Sequence, residues 1–236
     1  MKHTAARSIR VALFAAFPVF AMTPSAQALE MATNFYVVAS LGQSDIVNST
    51  IQRDNDAIVW ANLNRLKNTT ISNISSGRDK SEHGAKLQLG YQFDPNFAVE
   101  GGYVDLGKTN YLATYKLTPL LGTAAWASSS REIRLSGWNI SGVGILPIDE
   151  RFSLFGKLGL IRTQVKTSDN GAAGFTSVAG YTQHKWRPTY GVGGKYAVNQ
   201  NFGVRAELDR YDGLGDSSTT GKADVNLWSL GLEGRF

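Results

Sequence analysis

The chain has 236 residues, which suits a single domain, with 25 glycines, many aromatics and no cysteine. Its mean hydropathy is slightly negative, which excludes a bundle of membrane helices, and the lack of cysteine excludes a fold held by disulfides. The formal net charge of +5 is poor evidence for a nucleic-acid partner, because Lys2, Arg7 and Arg10 supply three of those charges in a segment that carries no acid.

That segment comes first in the chain. "MKHTAARSIR" is basic, "VALFAAFPVFAM" is apolar but shorter than the ~20 residues of a spanning helix, and "TPSAQA" ends in the small residues Ala26-Gln27-Ala28. The pattern predicts a signal peptide over 1–28, cleaved before Leu29, and export through the periplasm.

From residue 29 to 236 the hydrophobic pattern alternates with period two, and no stretch shows a convincing helical period. Eight strands are predicted: 34–43, 83–93, 97–107, 131–146, 152–165, 185–197, 202–211 and 224–236. Three connections are tight and use Pro, Asp and Asn: "DPN" at 94–96, "PIDER" at 147–151 and "VNQN" at 198–201. Four are long and polar, at about 44–82, 108–130, 166–184 and 212–223. Short and long connections alternate strictly. That rhythm predicts an all-β fold, an eight-stranded antiparallel up-and-down transmembrane β-barrel with one plain rim and one elaborated rim. The connection 44–82, rich in Asn, Ser and Thr, is expected to be either disordered or used for binding.

The two faces of the strands decide what the barrel sits in. In 83–93 one face carries Ala85, Leu87, Leu89, Tyr91 and Phe93, and the other Lys86, Gln88, Gly90 and Gln92. In 97–103 Phe97, Val99 and Tyr103 alternate with Ala98 and Glu100, and in 202–208 Phe202, Val204 and Leu208 alternate with Arg205 and Glu207. An eight-stranded barrel has an interior just wide enough for side chains, so the bulky apolar faces would overfill it. They are expected to face lipid, with the charged, glycine-rich faces inside. The faces of 131–146 stay unassigned, because its pattern changes phase near Gly137.

Tyr91, Phe93, Phe97, Phe152, Tyr196, Phe202 and Phe236 fall near the short turns or the C-terminus on the apolar face. The first six are expected to form an aromatic girdle at one membrane interface. Trp138, Trp186, Tyr190, Tyr211 and Trp228 are candidates for the opposite girdle. His83 and His184 sit near strand starts and read as surface residues, and the acids of "DND" (54–56) and "DRYDGLGD" (209–216) read as solvated loop groups. No metal site, catalytic residue or cofactor is expected.

The stretches "LGYQFDPNFAVEGGYVDLG" (89–107), "ILPIDERFSLFGKLGL" (145–160), "GVGGKYAVNQNFGVRAELDRY" (191–211) and "WSLGLEGRF" (228–236) resemble the OmpA-like eight-stranded outer-membrane barrels of Gram-negative bacteria. The resemblance implies interior ion pairs at Glu100, Arg205, Lys157 and Glu207. Lys195 departs from it, since an acid stands there in the pattern, yet it joins the same interior set, with Lys86, Glu233 and Arg235 as further candidates. Phe236 resembles the C-terminal signal read by the outer-membrane barrel assembly machinery. Ending at strand eight, the chain is expected to lack a peptidoglycan-binding domain. The implied role is structural or surface-interacting and non-enzymatic. Its implied partners are outer-membrane lipid, lipopolysaccharide and, through the outer loops, host surfaces or phage. A narrow pore for small solutes or ions and a lipid A-modifying enzyme are the alternatives.

Overall fold

The computed structural model describes residues 34–78, 81–171, 182–216 and 221–236, and the expected signal peptide lies outside them. In chain order the elements are β1 (Phe35–Ser49), α1 (Ile51–Leu63), β2 (Thr69–Arg78), β3 (Ser81–Asp94), β4 (Phe97–Pro119), β5 (Ala125–Pro147), β6 (Phe152–Gly171), β7 (Thr182–Ala197), β8 (Phe202–Asp216) and β9 (Gly221–Arg235). Eight strands close into a ring in the order β4-β3-β1-β9-β8-β7-β6-β5, with β5 pairing back onto β4, and every pairing is antiparallel. From the short turns up to the level of Thr189 and Tyr211 every neighbouring strand pair is joined, which is what a bilayer demands of a sheet; above that level β7 and β8 do not pair among the described residues. β2 is a ninth strand outside the ring. It pairs with the far half of β4, Thr69↔Pro119 to Arg78↔Tyr111, and so continues the line of β3.

One local device makes all three short turns. Oδ1 of Asp94 accepts from the N–H groups of Asn96 (2.7 Å) and Phe97 (2.9 Å). Asp149 does the same for Arg151 (2.8 Å) and Phe152 (2.7 Å), and Asn199 for Asn201 (2.9 Å) and Phe202 (2.8 Å). Asp and Asn suit this role because their short side chains mimic a backbone carbonyl. The turn therefore reads Asp/Asn-x-x-Phe each time, and the phenylalanine that starts the next strand points outward at the same level of the wall.

The far end differs from expectation. The segments predicted as long polar connections are largely strand: β1 runs on to Ser49, β4 to Pro119, β5 starts at Ala125, β6 reaches Gly171 and β8 reaches Asp216. The connection 44–82 holds α1 and β2 rather than an unstructured loop. These outer halves rise past the apolar band, so water meets their outer face and the outward apolar signal used to find strands disappears. In β4 a bulge between Asp105 and Lys108 also shifts the alternation by one. Gly107 sits there at φ +81, a conformation that favours glycine, and its N–H donates to Asp105 at 2.9 Å.

α1 was not predicted, and its buried stripe explains why. Ile51, Asn55, Val59 and Leu63 recur every fourth residue, but one of the four is polar and the helix has little more than three turns. Asn55 is satisfied where it lies: its amide donates to the Ile51 carbonyl at 2.7 Å and its Oδ1 accepts from Arg131 at 2.9 Å.

Candidate functional site

The wall faces are as the alternation predicts. Leu87, Leu89, Leu158, Leu230 and Leu232 are exposed outward, while Lys86, Gln88, Glu100, Arg205 and Glu207 are buried inside. β5, left unassigned, keeps one phase throughout: Arg131, Ile133, Leu135, Asn139, Ser141 and Val143 are buried inward, and Trp138 and Ile140 point out. What changes near Gly137 is the chemistry of the interior. It is ionic toward the short turns and apolar toward the long hairpins.

The ionic half is one connected network. Glu100 on β4 is fully buried; its Oε1 accepts from Arg205 Nη1 at 2.7 Å and from the Tyr36 hydroxyl at 2.8 Å, and Lys157 Nζ lies 2.7 Å from its Oε2. Lys157 also reaches Glu207 at 2.8 Å, and Glu207 accepts from Lys86 at 2.6 Å. Arg205 Nε lies 3.0 Å from Glu207 Oε1, an ion pair off the hydrogen-bonding direction. Toward the short-turn mouth, Glu233 takes Lys195 at 2.6 Å, Arg235 at 2.9 Å and Arg205 at 3.3 Å. Phe155 is buried against the cations, its ring centre 4.3 Å from Arg205 Cζ and 5.3 Å from Lys157 Nζ. A cavity of about 230 Å³ opens at this mouth, lined by Lys195, Glu233 and Arg235 and, further in, by Glu100, Arg205 and Phe155.

The structure thus brings Glu100, Lys157, Lys195, Arg205 and Glu207 together, with Lys86, Glu233 and Arg235. Sequence reasoning missed Asp209, read as a solvated loop acid; it is buried and paired with Lys86. The signal was available, since 205, 207 and 209 share one strand face. Tyr36 and Phe155 were missed because the inward face was expected to lack bulky rings.

The apolar half of the interior was not foreseen. Val104, Leu106, Ile133, Leu135, Ile161, Val165, Leu214, Val225 and Leu227 form a buried cluster, and Ile51 at the start of α1 drops into it. Tyr211, a candidate for the outer girdle, belongs here instead, because it continues the inward series of Arg205, Glu207 and Asp209. Above this layer Val59 and Leu63 of α1 pack on Tyr111, Ala113 and Tyr115. Two polar clasps hold α1 down: the Tyr111 hydroxyl donates to Asp56, and Arg131, clamped on Asp169 at 2.6 and 2.8 Å, reaches Asn55. The Tyr111 hydroxyl is raised well above its ordinary range by burial and by the Asp56 carboxylate, so it stays a donor.

Tyr91, Phe93, Phe97, Phe152, Tyr196 and Phe202 all stand on the outer wall near the short turns, joined by Phe35, whose ring centre lies 4.8 Å from that of Tyr91. Tyr103, Trp138, Trp186, Tyr190 and Trp228 are exposed outward nearer the long hairpins, with Tyr103 and Trp138 edge to face at 5.4 Å. Phe236 is exposed beside β1, its N–H facing the Phe35 carbonyl at 3.4 Å. An apolar band between two aromatic belts is the outer surface of a membrane-spanning barrel.

Comparison with known proteins agrees. A family model described as the OmpA-like transmembrane domain matches residues 30–236. An uncharacterized protein of Coxiella burnetii is 26% identical over 189 residues, covering 71% of this chain and 74% of that protein. The crystal structure of Neisserial surface protein A is similar in fold, with a TM-score of 0.51 and 13% identity over 86% of this chain and 97% of that one.

Proposed function

Because the chain belongs to the OmpA-like transmembrane domain family, we propose that it works in the Gram-negative outer membrane as a sealed, non-catalytic barrel whose ordered outer end meets external partners. Its class is an outer-membrane β-barrel with a structural or surface-interaction role. The observation that carries the sealed reading is the double closure of the lumen. Buried ion pairs cross one half, and the apolar cluster with Ile51 fills the other. An ion in transit would have to displace well-packed apolar side chains and pass α1, so a pore is disfavoured.

The surface reading is supported by the β4–β5 hairpin. It carries Leu120 and Leu121, the latter 93% exposed, at its tip, with Trp126 beside them. Apolar groups held out in water by an ordered hairpin mark a contact surface, of a kind suited to host surfaces or phage. Against an enzyme, His83 and His184 are both exposed on the outer wall, and among the described residues neither side chain is hydrogen-bonded to a hydroxyl it could activate. Contact with lipid and lipopolysaccharide, export by a signal peptide and insertion by the barrel assembly machinery, with Phe236 in its outward place at the end of β9, complete this reading.

Planar-bilayer recording of the refolded barrel tests it. A quiet baseline under applied voltage is the expected result, and reproducible stepwise currents would replace the sealed reading with a pore.

A further inference from the structure

The long-hairpin half of the wall carries its charges unevenly. On β4, β5 and β6 the outward residues Lys108, Arg134 and Lys166 stand side by side, since Lys108 pairs with Arg134 and Arg134 with Lys166 in the ladder. Arg162, four residues and so two steps of the alternation lower on β6, sits in register between Trp138 and Trp186 of the aromatic belt. Arg134, Arg162 and Lys166 are all exposed. Among the described residues none of these three has a salt bridge, whereas Lys108 is held by Glu132 at 2.9 Å. Like charges placed directly across a ladder repel and destabilise it, so the row has a cost within the isolated protein. Among the described residues the opposite wall shows no such row: its Arg210 is neutralised by Asp212 at 2.7 Å and Asp224 at 2.9 Å.

Depth decides what meets this row. Trp and Tyr side chains settle at the headgroup level of a bilayer, and Tyr103, Trp138 and Trp186 fix that level here. The cations lie at it and just above it, outside the hydrocarbon and on the outer leaflet side. Neighbouring strands lie ~4.8 Å apart, so the row Lys108–Arg134–Lys166 is roughly 10 Å wide. That is the scale of one sugar headgroup, and long Lys and Arg side chains reach upward to phosphate from such positions.

We propose that Arg134, Lys166 and Arg162, flanked by Lys108, form a binding site for the phosphate groups of an outer-leaflet glycolipid of the lipid A class. The repulsion along the row is relieved when the lipid's phosphates enter between the cations. The site gives the barrel a preferred lipid on its β4–β6 wall and none on β8–β9. This rests on the outer-membrane reading above and deepens it.

The test uses the refolded full barrel in detergent, with bound lipid counted by native mass spectrometry. Wild type is compared with Arg134→Gln/Arg162→Gln/Lys166→Gln. A control, Arg65→Gln/Lys67→Gln/Lys116→Gln, removes the same charge from positions well beyond the aromatic belt. Each cation at a membrane surface contributes about a factor of five. The triple variant is therefore expected to bind bis-phosphorylated lipid A about a hundredfold more weakly, with the control unchanged. Dephosphorylated lipid A should bind wild type no better than it binds the variant. Should the triple variant fail to refold, the three single variants carry the test, each losing about fivefold. Equal affinity of wild type and variant overturns the proposal. So does displacement of lipid A by excess inorganic phosphate, which marks a free-anion site, and so does equally tight binding of phosphatidylglycerol. Failure of the membrane reading has a separate signature: wild type that migrates identically on gels with and without boiling.

Discussion

Arg205 and Glu100 meet across the full width of the barrel. β8 and β4 stand four places apart in the eight-strand ring, yet Nη1 of Arg205 lies 2.7 Å from Oε1 of Glu100. Lys157 on β6 reaches Glu100 and Glu207 from a strand midway between those two.

A cross-brace of buried charge is costly to break on one side only. Glu100→Ala or Arg205→Ala leaves its partner buried without its main counter-charge, and each is expected to destabilise the refolded barrel by ~3–5 kcal/mol. Glu100→Leu/Arg205→Met removes both charges and should cost less than the two single changes together. Urea midpoints in lipid vesicles check this; single variants that unfold at the wild-type midpoint would show that the brace carries no stability.

The outer helix is held by a different clasp. Arg131→Ala removes the donor that joins Asn55 of α1 to Asp169 of β6. Losing a charged, buried hydrogen bond typically costs ~1–3 kcal/mol, so opening of α1 should rise at least about fivefold. Limited proteolysis within residues 51–68 reads that opening directly. The heat-dependent gel shift of the barrel should persist, because the ring does not depend on α1.

The short turn at Asp149 carries a pH signature. The N–H groups of Arg151 and Phe152 hold its carboxyl below the ordinary carboxylate range, near 3.8 when unfolded. A depressed folded value means that the stabilisation is present at neutral pH and is lost as pH falls through that lower value. Asp149→Ala should lower the urea midpoint at pH 7, and the gap to wild type should close in acid. Asp149→Asn keeps the acceptor, as Asn199 does in the equivalent turn, and should show no such closing.

The membrane-facing half of this fold was legible because lipid imposes a strict alternation: Leu89, Val99 and Leu232 must be apolar while Lys86, Glu100 and Glu233 need not be. The interior charges at 100, 205 and 207 follow from that phase, whereas those at 157 and 195 come from the resemblance to OmpA-like barrels. Beyond the belt the constraint is gone. Tyr111, Ala113 and Tyr115 alternate with Leu112, Thr114 and Lys116 on a true strand, but both faces are chemically mixed, so the stretch looked like a loop. Ile133 and Leu135 on β5 hid its phase for a related reason: they are inward apolar residues in a barrel whose interior was expected to be polar throughout. Asn55 concealed α1, since its role depends on Arg131, a partner 76 positions away.

The inside-out wall is tested most directly by spin labels, because a chain without cysteine accepts single cysteines cleanly. Ile140→Cys and Leu230→Cys replace exposed outward residues, and Ser141→Cys and Ser229→Cys replace their buried neighbours. In vesicles, labels at 140 and 230 should collide freely with lipid-soluble oxygen and hardly at all with a water-soluble nickel chelate, while 141 and 229 should be shielded from both. Oxygen contact at 141 and 229, with 140 and 230 shielded, would contradict the account.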